Sequence, residues 1–262
     1  MSVALVTGAS RGVGQELARA LAEAGHDVAI AARSDLSETA GLVTGEGRRA
    51  LPLHLDVTEE AGVQNAVELA ERELGPLDLV VNNAGTDLAI GPLWEADPER
   101  WWSDVDVHLR GTFLVCRAVL PGMLARGAGR VLNVSSNAGL RPSPYNSGYG
   151  AAKAAILNLT ESLAASLEGT GVYAFAISPG YVRTAMTEHL LEVQAEKGWF
   201  PHLEGRETLD PGLAGRLVVA LASGKADRLS GRFFHALDDL DAILDRSDTV
   251  VADDLYVARL RT

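Results

Sequence analysis

The chain has 262 residues, a net charge of −12, 47% hydrophobic and 22% charged residues, and a single cysteine, Cys116. Phosphate binding needs clustered Lys and Arg, so this acidic balance argues against nucleic acid and anionic membrane as partners and leaves small molecules as the expected ligands. One cysteine excludes an internal disulfide and reads as a small buried hydrophobe. The first residues carry no basic flank and no unbroken apolar run, and no stretch approaches the roughly 18 apolar residues of a membrane span, so neither a signal peptide nor a membrane segment is expected and the expected compartment is cytoplasmic.

In chain order, apolar runs of strand length at 3–5 and 28–31 enclose a helical pattern around 17–21, and a polar helix leads to a run at 51–55. A helix at 63–74, a strand at 77–81, one long helix over 98–124 and a strand at 130–134 come next. Then come a helix at 148–167, a strand at 172–177, a helix at 210–222 and a short strand at 232–234. Strands alternating with helices of this length predict parallel pairing with helices on both faces: a doubly wound α/β fold, Rossmann-type, in one domain over 1–262. No repeat, low-complexity tract or linker interrupts it.

Directly after the first strand stands Thr7-Gly8-Ala9-Ser10-Arg11-Gly12-Val13-Gly14, leading into a helix. Glycines let the loop turn sharply and let a pyrophosphate approach backbone N–H groups at the positive helix end, which makes Gly8, Ser10, Arg11, Gly12, Val13 and Gly14 candidate dinucleotide contacts. The spacing is Gly-x₃-Gly-x-Gly; a glycine-rich turn alone can be only a tight turn, and its place at the first βα junction gives it weight. At the end of the second strand an acidic side chain would hold the ribose hydroxyls of NAD, whereas here Ala32 and Arg33 stand. Arg33, helped by Arg11, suits a 2′-phosphate, so NADP(H) is the preferred cofactor and NAD(H) the alternative. Both can also be ordinary surface arginines.

With Asp56-Val57-Thr58, Asn82-Asn83-Ala84-Gly85, Ser136, Tyr149-x₃-Lys153 and Pro179-Gly180 in order behind the glycine loop, the chain resembles the short-chain dehydrogenases/reductases over residues 2 to about 235. The resemblance implies that Asp56, with Val57 beside it, meets the adenine amino group. It places Asn82, Ala84 and Gly85 beneath the adenosine side, although Asn82 also reads as a tie between strand ends. Pro179, Gly180, Val182 and Thr184 are its implied nicotinamide contacts, and a homodimer or homotetramer its implied assembly.

Tyr149 and Lys153 stand four apart on a predicted helix and so share one face. Bringing a phenol from about 10 to near 7 takes about 4 kcal/mol of preferential phenolate stabilisation; Lys153 and the positive nicotinamide are the available sources. Ser136 lies at the carboxyl end of a strand, where ligands of open α/β sheets bind. Ser135 is the runner-up and is expected to point away. The expected activity is carbonyl–alcohol interconversion, with Tyr149 as acid or base, Ser136 bonding the substrate oxygen and Lys153 also holding the nicotinamide ribose. Keto-acyl thioester reduction is a narrower version. A dinucleotide-binding regulator or scaffold without catalysis is the alternative from another class.

One residue departs from the family pattern: His108 stands where relatives carry Asn, whose main-chain carbonyl is thought to serve a proton relay to the lysine. His108 is a candidate catalytic residue; it either titrates near neutral pH and adds a proton step or simply fills space. The other histidines lack metal-ligand spacing, so no metal is expected. Residues 185–210, apolar and containing Met186, read either as a substrate lid over a partly hydrophobic substrate or as a segment that packs on a neighbouring subunit. Tyr145, Leu140 and Trp94 are candidates for the pocket wall. An atypical extension over 236–262 reads as a subunit contact or a solvated acidic face.

Overall fold

Val, Ala and Leu run through the first strand without a polar break, and every residue of it is buried, as expected where both faces of a parallel sheet are covered. The seven strands are β1 (Val3–Thr7), β2 (Asp27–Ala32), β3 (Ala50–His54), β4 (Leu79–Asn82), β5 (Gly129–Val134), β6 (Val172–Ser178) and β7 (Phe233–His235). The computed structural model describes residues 2–259. Its strands pair in parallel in one sheet, in the order β3-β2-β1-β4-β5-β6-β7.

Between and after the strands lie α1 (Gly12–Glu23), α2 (Ser37–Gly45), α3 (Glu60–Leu74), α4 (Pro98–Val105), α5 (Gly111–Arg126), α6 (Ser147–Ser166), α7 (Ala185–Lys197), α8 (Gly212–Ala222), α9 (Leu240–Leu244) and α10 (Ser247–Ala252). Successive strand side chains point to opposite faces, which divides the interior into two cores. Ala4, Val6, Val28, Ile30, Leu132, Phe175 and Ile177 pack with α1, α8 and the tail helices. Leu5, Ala29, Ala31, Val131 and Ala174 pack with α3 and α5 on the other face. This is the doubly wound single domain that the alternating pattern implies.

Two expectations change. The single helix over 98–124 is three pieces, because a π-helical turn, Asp106–Arg110, separates α4 from α5. One extra residue in the turn re-aims the helix beyond it, and Gly111 sits where a Cβ would come within 2.6 Å of Val57. The extension over 236–262 is no purely solvated acidic face. Leu240, Ile243 and Val250 are buried with Leu229 and Phe234, and the Tyr256 carbonyl accepts from the Phe233 amide at 2.8 Å, closing the open edge of β7. Residues 260–262 lie outside the described residues.

Candidate active site

The sheet reverses its winding between β1 and β4, so the loops leaving them diverge and open a crevice at the carboxyl ends of the strands. Gly8 and Gly12 adopt φ of 64° and 60°. A Cβ on Gly8 would lie 2.7 Å from Ala84 Cα, and one on Gly14 would run into the Gly8 carbonyl. Glycine is therefore demanded by close packing of the β1 and β4 loops as well as by the turn. Asn83 fastens the two: its Nδ2 donates to the carbonyls of Thr7 (3.0 Å) and Gly8 (3.1 Å), and Thr7 Oγ1 accepts from the Asn83 and Ala84 amides. The sequence does not single out Asn83 for this role, since nothing in a two-residue Asn run says which side chain faces the loop.

α1 begins with no side-chain cap and no acidic residue in its first turn. Its leading amides thus face the crevice at the positive end of the helix, an arrangement that fits a pyrophosphate. Along the rim, Ser34 bonds Ser10 (Oγ–Oγ 2.8 Å), and the exposed Arg33 lies 3.3 Å from Asp56. Against the upward pull of its partial burial, the amide and hydroxyl of Thr58 and then Arg33 hold the Asp56 carboxyl below its ordinary value.

These elements enclose a cleft of about 860 Å³. Gly8, Ser10, Arg11, Gly12, Val13, Gly14, Arg33, Asp56, Val57, Ala84, Gly85, Ser136, Tyr149, Lys153, His108, Pro179, Gly180 and Thr184 all line it. Asn82 and Val182 do not. The buried Asn82 donates to Asn133 Oδ1 (2.9 Å) and to the Cys116 sulfur (3.4 Å), which makes it the tie between strands; Val182 forms a bridge with Leu209. Cys116 is buried, and burial pushes its thiol up to about 12.

The phenol, the ammonium and the hydroxyl meet at one end of the cleft. Lys153 Nζ lies 5.4 Å from the Tyr149 ring centroid and donates to the Val134 carbonyl at 2.6 Å. Burial draws the Lys153 ammonium down to about 7. Burial also raises Tyr149 above its ordinary value; a hydrogen bond from Ser136 opposes this and the charge of Asp87 adds to it. Ser135 is turned away, its hydroxyl donating to the Lys153 carbonyl (2.8 Å).

His108 is buried edge-on against Tyr149, ring centroids 5.1 Å apart. Burial, then the charge of Lys153, holds its imidazole well below the ordinary range, which favours the space-filling reading over a proton step of its own. Its Nε2 is 2.7 Å from the Thr86 carbonyl, while its main-chain carbonyl accepts from Thr112 Oγ1. A Cβ on Gly85 would collide with the ring. Four residues earlier, the fully buried Asp104 accepts from Thr86 Oγ1 (2.7 Å) and from the amides of Leu88 and Ala89 (both 2.9 Å). Asp104 and His108 together fix the loop after β4. No motif marks Asp104 in the sequence.

Met186 and His189 of α7 line the cleft, whereas Tyr145, Leu140 and Trp94 do not. Tyr145 stacks on Trp199, rings 5.0 Å apart and 4° from parallel. Trp94 is 84% exposed, and Leu140 borders a separate cavity of about 270 Å³. Loop side chains obey no periodicity, so their direction is not written in the sequence. Among the described residues no helix is long and apolar enough to cross a membrane.

A cradle for a pyrophosphate joined to a phenol and an ammonium in one cleft defines the class of dinucleotide-binding oxidoreductases. A family model described as short chain dehydrogenase matches residues 2–195. A short chain dehydrogenase of Pseudocercospora fijiensis is 36% identical over 260 residues, covering 94% of this chain and 83% of its own. Oxidoreductase UcpA of Salmonella typhimurium is 35% identical, covering 87% and 90%. Among solved structures, a short-chain type dehydrogenase/reductase from Mycobacterium marinum aligns with a TM-score of 0.82 and 31% identity, over 89% of this chain and 93% of that one. An NAD⁺-bound xylitol dehydrogenase aligns at 0.83 and 28% identity, over 89% and 96%. The chain belongs to the short-chain dehydrogenase/reductase family and is a nicotinamide-dependent oxidoreductase.

Proposed function

We propose that the protein interconverts a carbonyl and a secondary alcohol with NADP(H), Tyr149 serving as general acid and base. The observation that carries this reading is the meeting of Ser136, Tyr149 and Lys153 at one end of a cleft whose other end is the glycine turn. The bound nicotinamide supplies or receives the hydride. Ser136 and Tyr149 donate hydrogen bonds to the substrate oxygen, and Tyr149 passes it a proton in reduction. With its pKa raised by burial, the phenol is protonated at neutral pH, the form that reduction requires. Oxidation needs the phenolate, which Lys153 favours when it is protonated. In this reading Lys153 also holds the nicotinamide ribose.

Arg33 after Ala32, with Arg11 on the same rim, supports NADP(H), because no carboxylate stands at the end of β2 to oppose a 2′-phosphate. Met186 and His189 on the cleft wall support a lid role for 185–210. His108 acts as a positioning residue that holds Thr86 and backs the phenol. The single buried cysteine fits a reducing, cytoplasmic compartment.

The test is a titration of wild type and Tyr149→Phe with NADPH and NADH, then a screen of ketones and aldehydes. Wild type is expected to bind NADPH more tightly than NADH and to consume it. Tyr149→Phe is expected to bind NADPH comparably and to lose more than nine-tenths of the turnover, a threshold below the roughly hundredfold or more that a general acid contributes. A variant that retains more overturns the role of Tyr149; tighter binding of NADH overturns the cofactor preference; binding without turnover of any carbonyl favours the regulator reading.

A further inference from the structure

The loop held by Asp104 and His108 carries a second carboxyl, Asp87, into the cleft beside Tyr149. The two acids are treated in opposite ways. Asp104 has both oxygens paired, by one hydroxyl and two amides. Asp87 lines the cleft, and its Oδ2 is enclosed without any hydrogen-bond partner among the described residues. It stands close enough to the phenol for its charge to act on it. A buried polar oxygen left unpaired destabilises a fold, and one at the reacting end of a ligand cleft is a group whose partner arrives with the ligand.

The side chains around Asp87 do not offer that partner. His108 directs Nε2 to Thr86, and Lys153 donates to Val134. In the reductase reading Ser136 and Tyr149 take the reacting carbonyl oxygen, which is an acceptor. As a carboxylate, Asp87 on the same wall only accepts, so it pairs with a donor and opposes a second acceptor. We propose that Asp87 determines substrate specificity by accepting a hydrogen bond from a donor, a hydroxyl or an ammonium, on a carbon one or two bonds from the reacting carbonyl. The substrate class is therefore hydroxy- or amino-carbonyl compounds and the diols or amino alcohols they interconvert with, and this assignment rests on the reductase reading above. Burial, and then Asp104, lift the Asp87 carboxyl to about 7, where a donor in contact with it tips it to the carboxylate.

The experiment compares kcat/KM for isosteric pairs in which a hydroxyl replaces a methyl: hydroxyacetone against butanone, and 2-hydroxyacetophenone against propiophenone. Aminoacetone supplies the ammonium arm. Wild type is expected to favour each hydroxy ketone over its partner by roughly tenfold or more, the scale of one unpaired buried acceptor, with the difference mainly in KM. Asp87→Ala is expected to bring both ratios near one. Asp87→Asn, which keeps an acceptor oxygen and the shape, is expected to retain part of the hydroxyl preference and to lose any preference for aminoacetone. A wild-type preference for aminoacetone over hydroxyacetone assigns the donor as an ammonium, and the reverse order assigns it as a hydroxyl. Wild-type turnover without preference, or a preference that survives in Asp87→Ala, overturns this inference alone. If wild type turns over neither member of either pair, nor any other carbonyl, the reductase reading falls and this one with it. Should Asp87→Ala fail to fold, the wild-type ratios and Asp87→Asn still decide.

Discussion

A carboxyl whose pKa burial, and then Asp104, raise from 3.8 to about 7 makes stability depend on pH at a single residue. Between those values folded Asp87 keeps a proton that the unfolded chain has released. The stability it contributes is complete below pH 3.8 and is lost as pH rises through about 7. The whole shift amounts to about 4 kcal/mol at most, and contact of the residue with solvent reduces that. Asp87→Asn keeps the shape and does not titrate. Its melting temperature relative to wild type is expected to rise by about 2–8 °C between pH 5 and pH 8; an offset that stays constant over that range contradicts the buried carboxyl. The glycines of the loop before it could be read from the motif. Asp87 could not, because a residue beyond the motif obeys no period and its burial is set by segments distant in the chain.

At the level of elements, the catalytic groups depend on a polar tie through the middle of the sheet. Asn133, on β5, accepts from Asn82 of β4 and donates to Thr160 Oγ1 of α6, both at 2.9 Å, and Thr160 passes the bond on to the Ile156 carbonyl. This chain links the strand before the Asn83 clamp, the strand before Ser136 and the helix that carries Tyr149 and Lys153. Asn133 is fully buried. Asn133→Ala removes the bonds that Asn82 and Thr160 make to Asn133, and urea unfolding is expected to show a loss of about 2–4 kcal/mol; a loss under about 1 kcal/mol would mean the tie is dispensable. The strands and helices themselves were legible from periodicity. The π-helical turn before α5 was not, since one inserted residue only shifts the phase of an apolar row, and the row reads as one helix either way.

Across the whole molecule, the apolar surface is unevenly covered. Trp102 of α4 and Phe113 and Leu124 of α5 are exposed, large apolar side chains of the kind that a subunit contact would cover. This supports the homodimer or homotetramer implied by the family. Light scattering at micromolar concentration is expected to give the mass of two or four chains, and Phe113→Glu to lower it; a monomeric wild type refutes the assembly. The tail lies elsewhere, closing β7 and completing one core through Leu240, Ile243 and Val250. By itself the sequence determined the doubly wound sheet and the glycine turn, because these rest on local period and spacing; it singled out Ser136, Tyr149 and Lys153 through the resemblance of its ordered motifs to one family. Only the tertiary structure decided that Asn82 faces a strand and Asn83 the cradle, that His108 stays neutral, and that Asp87 stands unpaired beside the phenol. Those outcomes depend on which segments distant in the chain close over a side chain, and so on the desolvation and partners it meets there.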